Sequence, residues 1–297
     1  MSVKASASAP EMQGLGSVHA THASGASLTL CAHGGQLVSW RTADGMEQIF
    51  VSPDTLWAPP KAIRGGIPIC FPQFSSLGPL PQHGFARNST WRLADSCVTD
   101  AGTTVTMQLT KAMIEEKPEW QHDFDLRVSY TINAKSLHIS ANIAAPTEPI
   151  EAAILFHTYL RVHDIRQVRV EGLQGLRYRD ATQTPQTFQI ETRKVVTVDK
   201  PTDSVYLDHV AGRILQVYDP GAPAGRLLTI RNSNLSDCVV WNPWASGAES
   251  MADMSNEGFR EFICVENGQT APVSLAAGES WTASVTYETD ASLDARL

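Results

Sequence analysis

The chain contains no apolar run long enough to cross a bilayer, and no continuous apolar segment follows its first residues. Neither a helical membrane anchor nor a secretory leader is therefore expected. Cysteines at Cys-x-x-Cys spacing are also missing. The five that occur, Cys31, Cys70, Cys97, Cys238 and Cys264, are odd in number and far apart. That pattern fits free thiols in a reducing compartment better than a disulfide framework or a cysteine zinc site, and a cytoplasmic location is expected. Positive charge is scarce: 23 Lys and Arg against 31 Asp and Glu leave a formal charge of −8. A nucleic-acid footprint needs a basic surface, so nucleic acid is excluded as a partner. A small phosphorylated metabolite is not, because two arginines suffice for a local positive pocket. Histidines show no metal-ligand spacing. His157 and His163 lie about 20 Å apart along an extended strand, and no metal is expected.

Helical signal is the last absence. No segment carries a sustained apolar stripe with caps, no repeat recurs at a fixed period, and no Ser/Gly-rich or charged linker divides the 297 residues. What is there alternates with period two. Thr90–Val98 and Thr103–Leu109 flank Asp100-Ala101-Gly102, a hairpin signal. Asp123–Ile132 turns at Asn133-Ala134-Lys135 into Leu137–Ala144. Further strands are predicted over Gln167–Val170, Phe188–Ile190, Ser204–Leu207, Ile214–Tyr218, Leu227–Arg231, Cys238–Trp241, Phe262–Val265 and Trp281–Tyr287. The expected fold class is all-β, a mostly antiparallel sandwich or barrel, in one domain. Residues 1–24 are expected to be a disordered or loosely attached tail, with 25–297 as the single domain.

Several stretches carry residues suited to chemistry. In Glu151–Val162 one period-two face is nearly all apolar, while the other ends in His157, Tyr159 and Arg161. A polar face on so apolar a strand suits the lining of a cleft, although a half-exposed histidine without a role fits the pattern equally well. Glu266 closes the apolar run Phe262–Val265 just before Asn267-Gly268, which reads as a turn. A carboxylate at the mouth of such a strand is partly desolvated and so suited to act as a general base. A solvated strand-end glutamate is the plainer alternative. Trp241-Asn-Pro-Trp244 offers an aromatic wall for a sugar ring, or a plug for the end of a sandwich. Asp203 could accept hydrogen bonds from hydroxyls, or cap a turn. Arg64-Gly-Gly-Ile-Pro-Ile-Cys-Phe-Pro-Gln-Phe74 and Gln82-His-Gly-Phe-Ala-Arg87 set an arginine at either end of a loop. Gly65 and Gly66 would let a ligand approach the backbone, and Pro68 and Pro72 stiffen the segment. If the loop folds back, Arg64 and Arg87 could clamp a phosphate with their guanidinium forks, or they could be two surface ion-pair donors.

Taken in order, these two motifs with Phe156-His157-Thr158-Tyr159, Thr202–Tyr206, Val240–Trp244 and Val265–Gly268 resemble a known set. It is that of the glucose-6-phosphate 1-epimerases, the hexose-6-phosphate mutarotase branch of the aldose 1-epimerase superfamily. The resemblance runs from about residue 25 to about residue 290. It implies a galactose-mutarotase-like β-sandwich, or supersandwich, that binds a hexose 6-phosphate, needs no cofactor and works as a monomer. It implies that His157 and Glu266 are catalytic and that Arg64, Gln82, Arg87 and Asp203 bind substrate, with His83 and Trp241 lining the pocket. The implied reaction interconverts the α and β anomers of glucose 6-phosphate. Glu266 would take the C1 hydroxyl proton while protonated His157 donates to the ring oxygen, followed by rotation and closure. Two alternatives share the scaffold: a mutarotase for unphosphorylated aldoses, to which an arginine pair would be of no use, and a non-catalytic sugar-phosphate-binding or regulatory protein. A glycoside hydrolase would need two carboxylates at a fixed distance, and only Glu266 stands out for that work, with Asp203 a poor second.

Overall fold

The computed structural model describes residues 3–5, 12, 14–114, 119–207, 211–222 and 225–290. The expected alternation becomes three sheets whose named strand pairs are all antiparallel. A four-stranded sheet is built from Val3–Ala5, Ser17–Thr21, Ser27–Cys31 and Gln36–Arg41. A nine-stranded sheet runs from Val195–Val196 at one edge to Arg92–Thr99 at the other. An eight-stranded sheet contains, in spatial order, Thr187–Ile190, Arg177–Asp180, Thr202–Tyr206, Asp237–Asn242, Phe262–Leu275, Ile150–Phe156 and Ile69–Cys70, with Tyr159–Arg161 paired to Phe262–Leu275.

Of the segment expected as a tail, residues 1–2, 6–11 and 13 lie outside the described residues. Ser17–Thr21 pairs with Ser27–Cys31 and buries Val18 and Ala20, so the sheet begins before residue 25. Among the described residues one α-helix occurs, Trp244–Glu249. None of the helices is long and apolar enough to cross a membrane. The described cysteines are all free, four of them buried and Cys97 exposed.

Period two explains how one sheet serves two purposes. On one face of the eight-stranded sheet, Ile154, Phe156, Val240, Ile263 and Val265 join Val128, Ile139, Ile230 and Val285 of the nine-stranded sheet in a single buried core. At roughly 25 cal/mol per Å² of apolar surface, this layer is the main stabilising contribution. The alternate residues face the other way. There Leu155, Val205 and Val239 form a separate cluster with Cys70 and Phe74, against which Trp241 packs. That second face carries the site.

The predicted hairpins are present as Arg92–Thr99 with Gly102–Thr110 and as Asp125–Ile132 with Ser136–Ala144. The turn expected at Asn267-Gly268 is not. The strand Phe262–Leu275 continues straight through it. Gly268 is required there by packing: a Cβ would lie 2.6 Å from that of Leu155 on the neighbouring strand.

Candidate active site

The register of two neighbouring strands brings the imidazole and the carboxylate together. Phe156 pairs with Asn267 and Tyr159 with Cys264. Continuing that count sets His157 directly opposite Glu266. The regular ladder opens at His157, whose backbone N–H donates instead to the Pro68 carbonyl at 2.9 Å. The imidazole Nδ1 then lies 3.2 Å from Glu266 Oε1. The contact is close but not aligned as a hydrogen bond, and Nδ1 has no hydrogen-bond partner. Because its strand does not end at residue 266, Glu266 is a mid-strand residue only 2% exposed rather than a group at the strand's mouth.

Rings fix the imidazole in place. Tyr159 stacks on it with centroids 4.9 Å apart and planes 11° from parallel. Trp241 and His83 meet it edge-on at 5.6 and 5.8 Å. Trp241 is therefore a wall of the cleft. Trp244 is not, because the Asn242 side chain accepts from its backbone N–H and its ring packs on Phe259.

Burial dominates the electrostatics. It drives the Glu266 carboxyl well above the ordinary carboxylate range, with Asp203 adding to the rise and Arg87 opposing it. It holds His157 well below its ordinary value, reinforced by His83, Arg87 and Arg64. His83 is pushed down to about 3, first by burial and then by the charges of Arg87 and Arg64. Its Nδ1 accepts from the Ser75 N–H at 3.3 Å. A neutral His83 consequently keeps its proton on Nε2, as a donor.

The arginines at either end of the loop both reach one cleft of about 420 Å³, together with Gln82, His83, Asp203 and Trp241. They are not equivalent there. Arg64 donates from Nε to Asp253 at 3.0 Å and from Nη1 to the Tyr159 hydroxyl at 3.3 Å. Arg87 donates from Nη2 to the Gln82 carbonyl at 3.0 Å, and its Nε is buried without a partner. Asp203, on Thr202–Tyr206, pairs in register with Trp241. Burial raises its carboxyl, with Arg179 opposing and Asp180 adding.

The glycines after Arg64 do not clear a path for a ligand. A Cβ on Gly65 would lie 2.5 Å from the Phe50 carbonyl oxygen, and one on Gly66 the same distance from that of Leu37. With φ of +113° and +72°, the pair lets this loop lie against the neighbouring backbone, and that contact aims Arg64.

Two residues escaped the sequence reading. Asp253, which holds Arg64, comes from the segment after the Trp244–Glu249 helix and has no motif around it. Arg179 lines the cleft from the Arg177–Asp180 strand, and only strand register could have revealed it. In the sequence Cys264 reads only as a free thiol; the fold buries it beside the pair. Its Sγ, a ring nitrogen of His157 and a Glu266 oxygen lie within 4.8 Å of one another, a donor set that could hold a thiophilic divalent ion. Binding would need the thiolate, which burial strongly disfavours. A larger groove of about 1010 Å³ adjoins the cleft along Phe74, Leu77 and Arg179, but neither His157 nor Glu266 faces it.

Comparison with known proteins gives a consistent result. Residues 16–288 match the family described as aldose 1-epimerase. A protein of Cenchrus ciliaris named "Putative glucose-6-phosphate 1-epimerase" is 33% identical over 258 residues, covering 84% of this chain and 77% of its own. One of the same name from Escherichia coli (strain K12) is 32% identical, covering 83% and 81%. The crystal structure of "a putative mutarotase (YeaD)" from Salmonella typhimurium superimposes with a TM-score of 0.82 at 28% identity, covering 93% of this chain and 90% of that one. A galactose mutarotase-like protein from Clostridium acetobutylicum shares the fold, with a TM-score of 0.72 at 14% identity, covering 97% and 98%.

Proposed function

We propose, for a chain that belongs to the aldose 1-epimerase family and interconverts sugar anomers, that the substrate is glucose 6-phosphate and that His157 and Glu266 move the protons. The observation that carries this reading is their contact at 3.2 Å in a cleft that Arg64 and Arg87 also enter. A neutral sugar can accept hydrogen bonds from guanidinium groups but offers no charge to match theirs. A phosphate matches them through charge-assisted, bidentate bonds.

The two catalytic groups are best treated as a pair holding one proton. Ring opening needs Glu266 ionised to take the C1 hydroxyl proton and His157 protonated to donate to the ring oxygen. At the open-chain aldehyde the same proton count is redistributed: Glu266 is protonated and His157 neutral. Burial favours that second arrangement, since neither charge is welcome there. The protein environment therefore stabilises the pair as it stands at the open-chain stage. Rotation about C1–C2 and closure on the other face of the carbonyl restore the first arrangement. Protons only exchange places, and the acid–base contribution is on the order of 10²–10⁴-fold. Arg64, Gln82, Arg87 and Asp203 hold the sugar phosphate. His83 donates from Nε2 without competing for a proton, and the face of Trp241 supports the ring.

The test follows α/β exchange of glucose 6-phosphate by NMR magnetisation transfer, with glucose as comparison. A rate above buffer and a preference for the phosphorylated sugar are expected. A rate no faster than buffer would refute the assignment of substrate.

A further inference from the structure

The cleft contains a third guanidinium, and strand register fixes its place. Arg179 pairs with Val205, Val205 with Val239, and Val239 with Glu266. Residues paired in register share a face of the sheet. Arg179, Val205, Val239, Glu266 and His157 thus form one row across five neighbouring segments, with Arg179 and His157 at its ends. Adjacent strands are about 4.8 Å apart, so some 14 Å separates the backbones at Arg179 and Glu266. Side chains reaching in from both ends leave a span suited to a hexose carrying phosphate on C6, with its C1 at Glu266 and His157.

We propose that Arg179 is a phosphate ligand for the substrate, a third guanidinium that joins Arg87 and Arg64 in selecting phosphorylated sugar. The proposal rests on the sugar-phosphate reading above. Arg179 lines the cleft, and its Nε is buried without a hydrogen-bond partner, as is that of Arg87. Buried donors of a charged group left unpaired are costly, and a phosphate satisfies both. Arg64 is differently placed. Its charge is met by Asp253 at 3.0 Å, and it supports the Tyr159 hydroxyl. Two carboxylates lie close enough to Arg179 to matter. Asp180 is occupied by the Thr182 backbone N–H at 3.0 Å and hydroxyl at 2.6 Å. Asp203 is on the adjacent strand, two residues from the Val205 that pairs with Arg179, and burial raises its carboxyl while Arg179 opposes the rise. A phosphate arriving between Arg87 and Arg179 therefore meets two guanidinium groups that each still have an unpaired, buried Nε donor.

The experiment compares wild type with Arg179→Gln and Arg179→Lys. It reads the ratio of kcat/KM for glucose 6-phosphate to that for glucose, and the affinity for inorganic phosphate by ³¹P NMR titration. Loss of one charge-assisted pair predicts at least about a tenfold fall in the ratio for Arg179→Gln, carried by KM for the phosphorylated sugar. A comparable weakening of phosphate binding should accompany it. Arg179→Lys, which keeps the charge and loses the fork, should fall between. If Arg179 only braced Asp203, phosphate affinity would not move in either variant. Unchanged ratio and phosphate affinity in a variant with wild-type circular dichroism would overturn the proposal while leaving the sugar-phosphate reading intact. A wild-type enzyme with no preference for the phosphorylated sugar would overturn both.

Discussion

His157 and Glu266 face each other across one step of an antiparallel register, 3.2 Å apart, in surroundings that favour the charged form of neither. Their contact is at once a packing result, since the register sets it, and a statement about proton count.

Replacing either partner should disable turnover. His157→Ala and Glu266→Gln are each expected to lower kcat on the order of 10²–10⁴-fold. The double variant should be scarcely worse than the poorer single one, because the two act as a unit. Exchange NMR measures all three. Additive losses would show two independent groups instead of a shared proton.

The pH profile follows from the same directions. The one-proton state of the pair fails on the acid side when His157 binds a second proton, below its depressed pKa. It fails on the alkaline side when Glu266 loses its proton, above its raised pKa. Activity should hold a broad plateau across neutrality, wider than the gap of about two units between ordinary Glu and His. Stability has a related sign. Glu266 is more basic in the fold than in the unfolded chain, so wild type should lose stability relative to Glu266→Gln as pH rises from the ordinary carboxylate range toward the raised value. Denaturant melts across pH would show it, and a parallel pH dependence of the two proteins would contradict the burial argument.

The Arg64–Asp253 pair is part-buried and only 3.0 Å long. Asp253→Asn removes a carboxylate that competes with an incoming phosphate. KM for glucose 6-phosphate is expected to fall about two- to fivefold, the modest range of a partly screened charge. Steady-state kinetics at low and high salt would check it, since added salt should shrink the gain. A higher KM would mean that Asp253 orients Arg64 more than it neutralises it.

Gly268→Ala tests the floor of the cleft. The added Cβ would press on Leu155 at 2.6 Å, a side chain with no solvent to move into. Overpacking of this kind costs about 1–3 kcal/mol, readable as a lower denaturation midpoint. Leu155 packs beneath Val205 and Val239, which line the cleft, and lies two residues before His157, so kcat should fall as well. An alanine variant with wild-type stability would show that the floor can yield.

The architecture was legible because period two is a local signal: alternation at 125–132 and 136–144 reads as strands in any context. The opposite failure occurred at Asn267-Gly268, where a dipeptide typical of turns lies inside a strand because Leu155 leaves no room for a side chain. Gly65 and Gly66 were recognised as special, but their reason is close backbone contact rather than ligand access. His157, Glu266, Arg64, Gln82, Arg87 and Asp203 all line one cleft. Arg179 and Asp253 were illegible because their partners are distant in sequence, and only the paired strands or the folded loop bring them near.

The interleaving of the two faces has one more consequence. Glu266 lies between Val265, which packs into the sandwich core, and Asn267, which is fully buried and bonded to Asn232 at 2.8 Å. The active site is in effect a reading frame written across the sheet. Deleting Cys264, ahead of Val265, would shift that frame, putting a valine in the cleft and a carboxylate in the oil. Substitution can alter this enzyme by degrees, whereas a shift of frame just ahead of Glu266 exchanges its cleft for its core.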